Sequence, residues 1–153
     1  FSTSHTNDAP TAITRLIDLG LEPYLINATM EGIVAQRLVR RICPGCKEQY
    51  EPSEESLLQV GLTPEDVEGK KFHRGRGCEL CSNIGYKGRM GIFEIVTLND
   101  ELRDLLMEDA STGELRSCAR KYGARSLRQS GLLAVYDGDT TVEEVARATV
   151  MEK

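Results

Sequence analysis

Between Asp8 and Gly20 the apolar positions Ile13, Leu16 and Ile17 recur at three- and four-residue intervals, the spacing that gathers side chains on one helix face. Asp8 is placed to cap such a helix, Pro10 suits its first turn and Gly20 its end, so the pattern predicts a helix within residues 5–20. A second helix is predicted from Pro23 towards Gly32, with Tyr24, Leu25, Ala28 and Met30 inward. In "IVAQRLVRRIC" (33–43), Val34, Leu38 and Ile42 satisfy both a helix face and a strand face. Because the segment runs into a cysteine turn, a strand is expected there.

The rhythm breaks over residues 44–88, where Gly, Pro and charges replace large apolar side chains. Two short helices are predicted inside, one after Ser53 and one at "TPEDVEG" with Thr63 as cap, Pro64 at N1 and Asp66 at N3. "MGIFEIV" (90–96) reads as a strand returning to the main core. From Asn99 onward the helical period resumes. Asn99 caps a helix holding Leu102, Leu105 and Leu106, and Thr112 one with Leu115, Cys118, Ala119 and Tyr122 inward. Ser126 starts a third, with Leu132, Leu133 and Tyr136, and Thr141-x-x-Glu144 is a capping box for a fourth.

Composition narrows the class. With 153 residues, 28% charged and 40% hydrophobic, the chain fits one core or two small ones. The net charge of −5 counts against nucleic acid as a partner, since phosphate binding favours a basic surplus. No apolar run reaches the ~18 residues a membrane span needs.

Four of the five cysteines form two C-x-x-C pairs, Cys43/Cys46 ("CPGC") and Cys78/Cys81 ("CELC"), with 31 residues between them. An odd cysteine count in this pairing suits a reducing, cytoplasmic setting and a metal site better than a disulfide framework. A C-x-x-C turn brings two thiolates to one side of a metal, and four thiolates satisfy tetrahedral Zn²⁺ with no open position for water. Redox exchange and unliganded thiols are the competing readings; no thioredoxin-like pattern surrounds either pair. Cys118 occupies a helical core position and reads as a small buried hydrophobe.

"FSTS" reads as the tail of a strand, which places His5, with Thr6 and Asn7, at a strand end, where open α/β sheets bind ligands. A histidine at a turn serves equally as a structural hydrogen-bonding group. Arg37, Arg40 and Arg41 suit either an anionic ligand or neighbouring subunit, or a salt-bridged strand face. No G-x-x-x-x-G-K-[ST] segment occurs, so the chain carries no P-loop. On spacing alone the chain is a zinc-stabilised domain with a candidate anion site, and a stand-alone zinc-ribbon interaction module remains open.

"FSTSHTNDAPTAITRLIDLGLEP", "AQRLVRRICPGC" and "CELCSNIGYKGRMGIFEI" together resemble the C-terminal part of the type II secretion and type IV pilus motor ATPases, in the family's own order and over essentially the whole chain. The details lean towards the pilus assembly (extension) ATPase, with the type II secretion motor as the alternative. The resemblance implies an α/β fold: part of a RecA-like P-loop ATPase core (1–42 and 89–97), an inserted tetracysteine zinc subdomain (43–88) and a C-terminal helical subdomain (98–153). It implies that "HTNDA" is the family's His box, with His5 contacting the γ-phosphate and Thr6 and Asn7 beside the nucleotide. The Walker A, Asp box and Walker B segments would then precede Phe1, leaving this stretch inactive alone. It implies structural Zn²⁺ on Cys43, Cys46, Cys78 and Cys81, with ATP and Mg²⁺ in the full-length protein. The implied assembly is a cytoplasmic homohexameric ring, peripheral at the inner membrane, under an inner-membrane platform protein, with no nucleic acid partner.

Overall fold

The structure is a computed structural model, which describes residues 3, 4 and 6–149. It is a mixed α/β chain of seven helices and four strands among the described residues. Their order is α1 (Ala9–Asp18), α2 (Pro23–Thr29), β1 (Gly32–Ile42), β2 (Lys47–Tyr50), α3 (Glu54–Gln59), β3 (Phe72–Gly75), β4 (Tyr86–Thr97), α4 (Asp100–Met107), α5 (Thr112–Lys121), α6 (Leu127–Tyr136) and α7 (Val142–Ala148). β1 pairs with β4 and β2 with β3. At the two ends of the first pair Leu98 N–H donates to Glu31 O and Cys43 N–H to Gly85 O, so β1 and β4 run antiparallel. The chain divides into two compact units, Phe1–Ala35 with Phe93–Ser126, and Gln36–Ile92 with Leu127–Lys153.

In the first unit α1 starts at the expected cap: the Asp8 carboxylate accepts from Thr11 N–H at 2.9 Å. Ala9 and Ile13 of α1, Ile26 of α2, Leu102 and Leu106 of α4 and Leu115 of α5 are buried. The inward face of α2 is not the expected one. Tyr24 and Leu25 are exposed and Ile26 is buried, because a seven-residue helix started by Pro23 turns one position towards α4. The helix ends at Thr29, and Gly32 opens β1 instead, where a Cβ would lie 3.1 Å from Val96 O. Ser111, not Thr112, caps α5. Its hydroxyl accepts from Glu114 N–H, while Ser111 N–H donates to the Glu114 carboxylate, a complete capping box. Tyr122 lies past the end of α5 and is exposed, its hydroxyl donating to Glu101 at 2.6 Å.

The second unit packs Leu57, Val60, Phe72, Leu132, Val135, Val142 and Val145 into one core. α3 begins after Ser53 as expected, whereas "TPEDVEG" forms only a 3₁₀ turn over Glu65–Val67. There the Asp66 carboxylate accepts from both the N–H and the hydroxyl of Thr63, which closes the turn without extending it. The β2–β3 hairpin ladder, Lys47↔Gly75 to Tyr50↔Phe72, has no counterpart in the sequence expectations. Glu48 faces Arg74 across it, joined by a 3.0 Å ion pair. The Thr141 box is half formed: its hydroxyl accepts from Glu144 N–H, but the Glu144 carboxylate turns to Arg40.

Candidate metal centre

Cys43 follows directly on β1, and Pro44-Gly45 turns the chain so that Cys46 stands immediately before β2. Cys78 follows the β3 segment and begins a 3₁₀ turn, Glu79–Cys81, after which Ser82 and Asn83 adopt left-handed backbone conformations. Each ladder therefore delivers one end to a cysteine knuckle. The two flanks of the second knuckle close on each other because both are glycine there: a Cβ on Gly75 would fall 2.0 Å from Gly85 O, and one on Gly85 2.3 Å from Gly75 O. The first knuckle is tied to these flanks by Cys43 N–H donating to Gly85 O at 3.0 Å and Arg76 N–H donating to Cys46 O at 3.1 Å.

The result is one cluster. All four sulfurs lie within 4.8 Å of one another. Cys43–Cys78 and Cys46–Cys81 are 3.8 Å apart and Cys78–Cys81 3.7 Å. A tetrahedron with Zn–S near ~2.3 Å has sulfur–sulfur edges of about 3.8 Å, so the donor set fits Zn²⁺ in chemistry and in size. Disulfide bonding is excluded by the same distances, since S–S bonds are about 2 Å long. Backbone amides surround the sulfurs: Gly77 N–H donates to Cys46 Sγ, and Cys78 and Gly85 N–H donate to Cys81 Sγ, each at 3.3 Å. These donors favour thiolates. Burial pushes Cys46 up to about 12, whereas at Cys81 the amides of Cys78 and Gly85 outweigh the burial and bring it down to about 6. A bound cation would hold all four as thiolates.

The remaining sequence candidates fall elsewhere. His5 lies outside the described residues. Thr6 and Asn7 stand in the turn before α1, Asn7 exposed and Thr6 donating from its hydroxyl to Asp8 O at 3.1 Å. Arg40 and Arg41 belong to the salt-bridged reading. Arg40 pairs with the buried Glu144 at 2.6 Å and stacks over Tyr86, and Arg41 pairs with Asp139 at 3.0 Å. Arg37 donates to Gln36 O. Cys118 is buried, which pushes its thiol up.

One arrangement escaped the sequence reading altogether. The Asp8 carboxylate, besides capping α1, accepts from Arg116 Nη2 at 2.7 Å and Nε at 3.3 Å. Glu94 in β4 is fully buried; it accepts from Ala9 N–H at 3.0 Å and Arg120 Nη2 at 2.7 Å. The only trace in the sequence is an acidic residue inside the apolar "IFEIV".

Four cysteine sulfurs at zinc-sized spacing in a mixed α/β chain could hold one metal ion. The family model described as "Type II/IV secretion system protein" matches residues 1–147. The chain is 42% identical over 149 residues to the type IV pilus assembly ATPase PilB of Thermus thermophilus, covering 97% of this chain and 17% of that protein. It is 46% identical over 148 residues to the type II secretion system protein E of Pseudomonas aeruginosa, covering 97% of this chain and 29% of the relative. A third relative, the pilus assembly ATPase PilB of Myxococcus xanthus, is 41% identical over 153 residues, covering 99% of this chain and 27% of its own length. The chain belongs to the type II/IV secretion system protein family, a family of ATPases. It spans between 17% and 29% of the length of these three relatives. Among the described residues no helix is long and apolar enough to cross a membrane.

Proposed function

We propose that this chain is the C-terminal portion of a hexameric motor ATPase that couples ATP hydrolysis to type IV pilus assembly. The observation that carries the reading is similarity along nearly the full chain to proteins named type IV pilus assembly ATPases. Similarity to type II secretion system protein E is of the same order, which makes secretion the second reading. Deleting the gene and scoring surface pili against secreted enzymes separates the two: loss of pili with secretion intact supports the first, the converse the second.

Within this reading, residues 1–42 and 89–97 belong to a RecA-like ATPase core, 43–88 to a zinc subdomain and 98–153 to a helical subdomain. Cys43, Cys46, Cys78 and Cys81 would hold Zn²⁺, which supplies a fourfold cross-link between the end of β1 and the start of β4 and no open coordination position. The turn ahead of α1 is the nucleotide-facing element: His5 contacts the γ-phosphate and registers its loss, with Thr6 and Asn7 alongside. ATP and Mg²⁺ are held mainly by segments other than these residues, since the chain has no G-x-x-x-x-G-K-[ST] cradle. The chain by itself is therefore expected to hydrolyse no ATP above a mock-purified control, while the complete gene product turns over. The ring works in the cytoplasm beneath an inner-membrane platform protein.

A further inference from the structure

α5 carries two arginines, Arg116 and Arg120, one helical turn apart on the same face, and both reach the start of α1. Arg116 does so through Asp8, Arg120 through Glu94, whose second oxygen takes the first N–H of α1. The helices also meet further along, where the Thr14 and Thr112 hydroxyls lie 2.7 Å apart.

Capping explains only part of this. An N-cap aspartate needs one oxygen for the helix N–H, and Asp8 Oδ1 supplies it to Thr11. Oδ2 is free for another task, and the Arg116 fork fixes it, which sets the direction in which the chain enters α1. Burying the Glu94 carboxylate in β4 between Ile92 and Val96 is costly, and the return is a bond to Ala9, the residue next to the turn. The inner side of the turn is thus clamped twice while Asn7 faces outward.

We propose that Arg116 and Arg120, acting through Asp8 and Glu94, are positioning residues that hold the Thr6–Asp8 turn in the placement needed for hydrolysis. This rests on the reading of that turn as nucleotide-facing. The clamp touches no nucleotide; it aligns the groups that do, and misplacement of about 1 Å is enough to slow a reaction severely.

Arg116 is the residue to test, because truncating Arg120 would strand a buried carboxylate and endanger folding. In the complete gene product, Arg116→Ala, Arg116→Lys, His5→Ala and the double variant His5→Ala with Arg116→Ala are compared for kcat, KM, affinity for a non-hydrolysable ATP analogue and thermal midpoint. Lys121→Ala is the control, removing another α5 ion pair that faces Glu101 instead. Arg116→Ala is expected to lower kcat on the order of tenfold with analogue affinity nearly unchanged, Arg116→Lys to recover part of it, and Lys121→Ala to match the parent. The double variant should be no slower than His5→Ala alone, because both changes act on one element.

Wild-type kcat in Arg116→Ala, or losses that multiply in the double variant, overturns the clamp while a slow His5→Ala leaves the nucleotide reading standing. Full activity of His5→Ala overturns both. Should Arg116→Ala fail to fold, Arg116→Gln, which keeps the stem and loses the charge facing Asp8, decides instead: parent-like kcat overturns the proposal and a reduced kcat with intact analogue binding supports it.

Discussion

Replacing Glu144 with glutamine should remove a measurable part of the second unit's stability, and only at pH values where the carboxylate is charged. Glu144 is buried, and its carboxylate accepts Arg40 N–H at 2.8 Å, Arg40 Nε at 2.9 Å, Arg40 Nη2 at 2.6 Å and Arg147 Nη2 at 2.8 Å. Burial alone would raise its pKa, but the Arg40 and Arg147 donors override it and lower the group from 4.5 to about 2. At ~1.36 kcal/mol per pH unit that difference amounts to about 3 kcal/mol. Arg40 and Arg147 are 43% and 62% exposed, so solvent screening reduces the expected contribution to about 2 kcal/mol. A carboxyl depressed in the folded state stabilises fully above its unfolded value of 4.5, and the gain disappears as the pH falls towards about 2. Urea unfolding of parent and Glu144→Gln at a series of pH values, with equal zinc content verified, measures the difference by linear extrapolation. A deficit near 2 kcal/mol at neutral pH that shrinks through the acid window is expected. A deficit under about 0.5 kcal/mol, or one that stays constant to low pH, would refute the argument.

Two further expectations bear on the metal centre and the core. The purified chain should carry one zinc per molecule by elemental analysis, and Cys43→Ser or a strong chelator should remove it and lower the melting temperature, because metal binding and folding are coupled; an unchanged melt after complete metal removal contradicts the structural role. Gly131→Ala should cost roughly 1–3 kcal/mol by overpacking, since the new Cβ would meet Val145 Cγ1 at 2.8 Å and Cγ2 at 2.9 Å; a variant as stable as the parent in urea would show that α6 and α7 separate freely.

What the sequence by itself determined is local in its physics. Asp8, Asn99 and Thr141 cap the helices assigned to them, and a helix follows Ser53 as expected, because a cap is a bond between residues two or three apart. The two C-x-x-C pairs announced a candidate metal site for the same reason: each knuckle is a short turn with fixed ligand chemistry. Similarity along the chain then placed it in its family. Tertiary structure decided the rest. Which face of α2 turns inward depends on α4, and the polar segments "KEQY" and "FHRG" become β2 and β3 only by pairing across the 21 residues between them. Glu144 left its capping box because Arg40, 104 residues away, offers a stronger set of donors. Glu94 and Asp8 meet the arginines of α5 over separations of 26 and 108 residues. No local spacing encodes such partners, because ion-pair and packing energies depend on distance in space, and that distance exists only once the chain has folded.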